Sequence, residues 1–195
     1  MSQSLQGIKI GFAMTGSFCT MSDAFERIRI LKETGADVYP ILSFHAADMD
    51  TRFITSEELK YKLRALTGND AITTIQAAEP IGPQKLLDIV LVLPCTGNTV
   101  AKIALGITDT PVTMAVKAHL RNERPVVIAV SSNDGLSANA KNIGALLNTR
   151  NVYFVPFYQD DPVKKSRSLA YHGLSVVPAL EEALQGRQTQ PILYR

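Results

Sequence analysis

The sequence predicts an α/β protein, a three-layer α/β/α sandwich around a mainly parallel sheet, and three observations carry that expectation. Short β-branched and Leu-rich runs alternate with stretches of helical apolar period over most of the chain. Two of the runs, residues 89–93 (IVLVL) and 126–130 (VVIAV), are apolar without a break, as strands are when helices cover both faces of a parallel sheet. Small polar residues gather just after the strands, at 15–17, 43–45, 96–99 and 131–134, and in such a sheet those connections share one edge.

Taken in order, residues 8–14 form the first strand and Thr15-Gly16-Ser17 turn the chain toward a helix. Thr20 with Asp23 makes a capping pair for that helix; Ala24, Ile28 and Leu31 fall at i, i+4 and i+7, and Gly35 ends it. Residues 38–42 are the second strand, running out at Ser43-Phe44-His45. A loop over 45–54 carries Asp48, Asp50 and Arg52 and can cover a site, after which Thr55 and Glu58 form the capping box of a helix through Leu66. Residues 67–82 are irregular, with a β-like piece at 72–75. The central strand, 89–93, is stopped by Pro94. Cys95 to Thr99 are small and rich in donors and acceptors, and a helix over 100–105 is closed by Gly106. Thr110 caps a helix from Pro111 to Arg121, where proline costs nothing because that N–H has no helical partner. The strand at 126–130 leads through 131–135 into a helix ending at Leu147, and 152–155 is a further strand. Residues 157–173 read as a polar, charged tail, followed by a short helix over 178–184. The alternation makes the sheet Rossmann-like, of the flavodoxin-like kind.

With 195 residues, 46% of them apolar and 19% charged, the chain has the size of one domain, 1–195. A net charge of +2 with no long basic run argues against a nucleic-acid role. No apolar stretch approaches the roughly 20 residues of a membrane span, and residues 1–7 do not read as a leader, so a cytoplasmic protein without membrane contact is expected. Cys19 and Cys95 have neither metal-ligand spacing nor a disulfide framework, and no metal is expected.

The polar strand ends are read as one composite pocket. Gly11 to Ser17 spells G-x-x-x-x-G-S, but the lysine of a P-loop is missing. Gly11, Ala13 and Gly16 approximate a dinucleotide fingerprint, yet the second strand ends in Ser43 and His45 with no carboxylate for a ribose. A hydroxyl-lined turn before a helix remains, which suits a single phosphate, as in a mononucleotide such as FMN. A tight turn at Gly16 capped by Ser17 explains the same residues equally well. Thr96 and Asn98 fit an N-cap as readily as a ligand contact, and Cys95 fits a buried small residue. His45 has the side chain for proton transfer near neutral pH. Lys102 reads as a solvated charge, and so do Asp160, Asp161, Lys164, Lys165 and Arg167, which alternatively could grip a dicarboxylate or a second protein chain.

Pro94-Cys95-Thr96-Gly97-Asn98-Thr99-Val100-Ala101-Lys102 followed by Gly106-Ile107-Thr108-Asp109 resembles the signature of the flavoprotein family that includes peptidyl-cysteine decarboxylases, phosphopantothenoylcysteine decarboxylase and flavin prenyltransferases. The resemblance spans residues 8–156. It implies a flavin ring beside Thr96, Gly97, Asn98 and Thr99, an FMN phosphate on Gly16 and Ser17, and a cofactor contact from Ser43. Ser131 and Asn133 stand where family decarboxylases carry P-x-M-N, here Ser131-Ser132-Asn133-Asp134. Asn98 and His45 are the candidate catalytic residues, with His45 the nearest match to the family histidine. Ala78-Glu79-Pro80-Ile81-Gly82-Pro83 and Pro156-Phe157-Tyr158-Gln159-Asp160-Asp161-Pro162 further resemble one branch of the family, from spore-forming bacteria. That branch implies oxidation of a dihydropyridine dicarboxylate to the aromatic dicarboxylate in the mother cell, together with an A subunit that binds NADP. It also implies a homo-oligomer, a trimer or a multiple of one. Decarboxylation or prenyl transfer on FMN, or a non-catalytic role beside the A subunit, are the alternatives.

Overall fold

The computed structural model describes residues 4–194. Its sheet has seven strands: β1 (Lys9–Met14), β2 (Asp37–Leu42), β3 (Ile89–Cys95), β4 (Val126–Ser132), β5 (Val152–Phe154), β6 (Phe157–Tyr158) and β7 (Leu169–Tyr171). The first five are parallel in the order β2-β1-β3-β4-β5, the flavodoxin-like order expected from the alternation. β7 pairs antiparallel with the far end of β4, and β6 with β7, so the sheet is mixed but mostly parallel. β6 and β7 lie within residues 157–173, which the sequence reads as a polar, charged tail, and make that stretch part of the sheet. Strands of two and three residues carry no periodicity to read.

Helices are α1 (Met21–Glu33), α2 (Phe44–Asp48), α3 (Ser56–Thr67), α4 (Ile75–Ala78), α5 (Gly97–Ala104), α6 (Pro111–Leu120), α7 (Ala140–Leu147) and α8 (Val176–Leu184). Pleat alternation sorts them into two layers. Ile10, Phe12, Met14, Ile89, Leu91 and Leu93 face α1, α3 and α8 through Ile28, Leu31, Leu59, Leu63 and Leu180. Val90, Val92, Val126, Ile128 and Val130 face α5, α6 and α7 through Val100, Val112, Val116, Ile143 and Leu146. Each of these larger side chains stabilises the fold by about 1.5–3 kcal/mol on burial, before the entropy of ordering it.

Pro94 does not end the central strand, as the sequence suggested. β3 continues to Cys95, and its register on β4 slips between Val92 and Cys95. A proline has no N–H to give a ladder, and an irregular register is where a strand tolerates one. Thr20 flanks α1 but makes no side-chain cap; its hydroxyl donates to Ser17 O at 2.8 Å, and Asp23 instead accepts from the Tyr171 hydroxyl at 2.5 Å. Part of the loop expected over 45–54 is the short helix α2, because Ser43 caps it by accepting from the Ala46 N–H.

Candidate functional site

The connections after β1, β2 and β3 meet at the C-terminal edge of the sheet. Between β1 and β3 the order reverses, since β1 leads outward to β2 and β3 leads to β4. An open α/β sheet has its crevice at that reversal. Thr15, fully buried, ties the two strand ends together. Its hydroxyl donates to Pro94 O at 2.7 Å and accepts from the Thr96 N–H at 3.0 Å, while its own N–H reaches Pro94 O at 3.3 Å. On the other flank, Ser43 N–H donates to Met14 O at 3.0 Å. The three loops are therefore fixed to one another by backbone bonds.

They enclose a hollow of about 360 Å³ lined by Thr15, Gly16, Ser43, Phe44, His45, Thr96, Asn98, Thr99, Lys102, Asp109 and Thr110. That volume lies within the roughly 300–1,000 Å³ of small-molecule pockets. Gly16, Ser43, His45, Thr96, Asn98 and Thr99 are thus brought together from three separate strand ends. A Cβ on Gly16 would lie 3.5 Å from His45 Cβ, so the turn and the imidazole are neighbours. Thr96 caps α5, accepting from Thr99 N–H at 3.4 Å, and the N–H groups of Gly97 and Asn98 in the first turn have no carbonyl within the helix to meet. Free N–H groups and the positive end of the helix dipole favour an anion or a polar ring edge here.

Charge in the hollow is internally balanced. Lys102 Nζ lies 2.9 Å from both carboxylate oxygens of Asp109, with its side chain only 23% exposed. Lys102 is a wall of the site, not the free solvated charge the sequence suggested. Thr15 and the Lys102–Asp109 pair are the residues sequence reading undervalued. The signal for Thr15 was its place immediately after a buried strand; nothing in the spacing announced the ion pair.

The remaining candidates lie elsewhere. Ser17 and Ser131 share a hydrogen bond of 2.9 Å between their hydroxyls, joining the β1 turn to the end of β4 beside the hollow. Gly97 is buried and faces away from it: a Cβ there would meet Asn139 Nδ2 at 2.5 Å and Asp134 Oδ1 and Ser132 Oγ at 2.6 Å. Those three side chains form a network. Ser132 donates to Asp134, and Asn139 Nδ2 lies 2.9 and 3.0 Å from the two carboxylate oxygens. The Ser132 hydroxyl, and then the Asn139 amide, hold the Asp134 carboxyl below the usual carboxylate range, so it stays charged beneath the α5 N-terminus. Asn133 is not brought to the hollow; it lines a separate one with residues 164–168. Cys95 is fully buried, and burial raises its thiol pKa far above the ordinary value, so it is a packing residue and no nucleophile. Among the described residues no group of His, Cys, Asp and Glu is arranged to hold a metal ion, and no helix is long and apolar enough to cross a membrane.

Residues 1–171 match the family described as Flavoprotein. The chain belongs to the flavoprotein family. Among its relatives, this flavoprotein is 44% identical over 190 residues to the B subunit of dipicolinate synthase from Bacillus subtilis, covering 97% of the chain and 95% of that protein. The crystal structure of the B subunit of dipicolinate synthase from Bacillus halodurans superposes with a TM-score of 0.90 at 39% identity, covering 100% of this chain and 99% of that one. A crystal structure of the FMN-dependent cysteine decarboxylase SpaF gives a TM-score of 0.70 at 20% identity, over 93% and 97% of the two chains, a likeness of fold. The family resemblance read from residues 94–109 is therefore shown, as is the three-layer flavodoxin-like architecture.

Proposed function

We propose that this chain works as the B subunit of a dipicolinate synthase, holding FMN in the hollow at the β1/β3 switch point and supporting oxidation of a dihydrodipicolinate-type precursor to dipicolinate. The observation that carries the proposal is the meeting of Gly16, Ser43, His45 and Asn98 in one hollow, in a chain matched over nearly its whole length by the B subunit from Bacillus subtilis. The residues present suit a phosphorylated ring, with hydroxyls at Ser43, Thr96 and Thr99, unpaired helix N–H groups, and no unbalanced carboxylate. Gly16 and Ser43 hold the phosphate from within the hollow, Ser17 adds to that turn from beside it, steadied by Ser131, and Thr96, Asn98 and Thr99 orient the ring. Gly97 contributes through its backbone N–H, its α-carbon being packed on the Asp134 network.

The reaction removes a hydride from one ring position and a proton from another. When bound, the flavin supplies a two-electron acceptor, and NADP on the A subunit is the final one. The gain of aromaticity makes the step downhill, so the protein's task is orientation and proton removal. Asn98, exposed in the hollow, positions the precursor by its amide. His45, also exposed there, accepts the proton on an imidazole nitrogen and passes it to water. The working state is a homo-oligomer, a trimer or multiple of one, that meets the A subunit in the cytoplasm of the sporulating mother cell.

Titrating FMN into the purified chain tests the cofactor: bound flavin has bands at roughly 370 and 450 nm, shifted from those of the free dye. Assaying the A subunit with NADP, in the absence and presence of this chain, tests the reaction. Dipicolinate formation no faster in the mixture than with only the A subunit refutes it, and His45→Ala in the mixture separates proton transfer from binding.

A further inference from the structure

We propose that a second, cationic hollow at the same edge of the sheet is the subsite for the carboxylates of a small dicarboxylate; this deepens, and rests on, the reading of the chain as part of a dipicolinate synthase. The hollow, of about 330 Å³, is lined by Asn133, Lys164, Lys165, Ser166, Arg167 and Ser168, with no acidic residue in its wall. Lys165 is paired with Asp160. Among the described residues Lys164 and Arg167 take part in no salt bridge. Two positive charges are thus left for a ligand that carries two negative ones at neutral pH. Arginine binds a carboxylate through its planar fork, lysine as a point charge, and the Ser166 and Asn133 side chains supply donors for remaining lone pairs.

The backbone under these side chains is fixed on several sides. Lys164 N–H donates to Asp161 Oδ1 at 2.9 Å, Lys165 N–H to Asp161 O at 2.8 Å, and Ser168 N–H to Lys165 O at 2.9 Å. Gln159 donates to Ser166 O at 3.0 Å, and Arg167 O accepts from Leu136 N–H at 2.9 Å. The buried Ser168 hydroxyl donates to Ser132 O at 3.2 Å, which locks the turn onto the end of β4. A ligand therefore orders side chains only, the smaller part of the cost of binding. The place also suits the reaction. Asn133, which lines this hollow beside Lys164 and Arg167, follows by two residues Ser131, whose hydroxyl meets Ser17, so one wall of the hollow lies within about 7 Å of chain from the residue that joins the turn beside the first hollow.

Calorimetric titration of the purified chain with pyridine-2,6-dicarboxylate tests the subsite. The parent chain is expected to bind it, more weakly as salt rises, and the double variant Lys164→Ala/Arg167→Ala to bind it at least about tenfold more weakly. Both side chains are exposed, so the variant keeps the parent's unfolding temperature; Lys141→Ala, an exposed lysine elsewhere, keeps the affinity. Inorganic phosphate is the competing probe: displacement of the dicarboxylate by an equal concentration of phosphate makes the site a general anion hole and overturns the proposal. So does equal affinity in parent and double variant, or no binding by the parent. FMN titration of the same double variant keeps the two readings apart. Retained flavin with lost dicarboxylate supports the subsite, whereas a parent that binds dicarboxylate but no FMN refutes the flavin reading alone.

Discussion

Replacing Gly97 by alanine sets two effects of known sign against each other. Gly97 is the first residue of α5 and is not among the glycines of positive φ, so an added methyl group restricts the unfolded chain and gains about 0.4–1 kcal/mol where there is room. There is none. The methyl carbon would stand 2.5 Å from Asn139 Nδ2 and 2.6 Å from Asp134 Oδ1 and Ser132 Oγ, roughly 1 Å inside van der Waals contact with each. None of the three can swing away without breaking the bonds that satisfy the Asp134 carboxylate. Overpacking costs about 1–3 kcal/mol, and three contacts this short put it in the upper part of that range, about 2–3, so even against the full gain of about 1 kcal/mol the net loss is about 1–2 kcal/mol. For a chain of this length that lowers the unfolding temperature by about 2–8 °C. The strain is relieved by lifting the start of α5, which moves Asn98 and Thr99 in the hollow, so the flavin binding proposed there is expected to weaken with it. Thermal unfolding by circular dichroism and a flavin titration on the same protein measure both. An unfolding temperature equal to or above the parent's would refute the packing argument. Loss of stability with unchanged flavin affinity would refute the link from Gly97 to the hollow.

Thr15→Val keeps the volume but removes the hydroxyl that bridges Pro94 O and Thr96 N–H; leaving the half-buried Thr96 donor without its partner costs about 1 kcal/mol, read as a lower urea midpoint at an unchanged slope. His119, buried on α6 with Nε2 3.3 Å from Asp88 O, has its pKa lowered to about 4, chiefly by burial. The unfolded chain binds a proton near pH 6.5 that the folded chain refuses. The stability this group contributes is therefore full above about 6.5 and falls toward pH 4, by about 1.4 kcal/mol per unit. Urea midpoints at pH 5 and 7 are expected to differ less in His119→Gln than in the parent; an equal difference refutes the assignment. A thiol reagent at pH 8 is expected to modify exposed Cys19 in the native protein and Cys95 only after denaturation; two thiols titrating natively would show that Cys95 is reachable.

Much of the architecture was legible because burial on two faces leaves no other reading for runs such as 89–93 and 126–130, and because Thr55 and Thr110 announce their helices with caps the structure contains. The failures have local causes. Pro94 looked like a strand end because proline cannot donate to a ladder, but the slip in register between Val92 and Cys95 lets β3 continue past it. Asp23 looked like a capping partner for Thr20, yet its carboxylate is taken by Tyr171, 148 residues away in sequence. β6 and β7 are too short to show a period and exist because the end of β4 offers them an edge.

Residue types alone settled the class of fold, the family signature at 94–109, and the strand ends as the places where polar groups collect, since each depends on neighbours along the chain. Only the tertiary structure decided that Gly16, Ser43, His45 and Asn98 share a hollow while Asn133 belongs with Lys164 and Arg167, and that Gly97 is a packing contact. Those facts turn on which strand lies beside which and on a slip of register, and hydrogen bonds between strands far apart in sequence leave no periodic trace within any one of them.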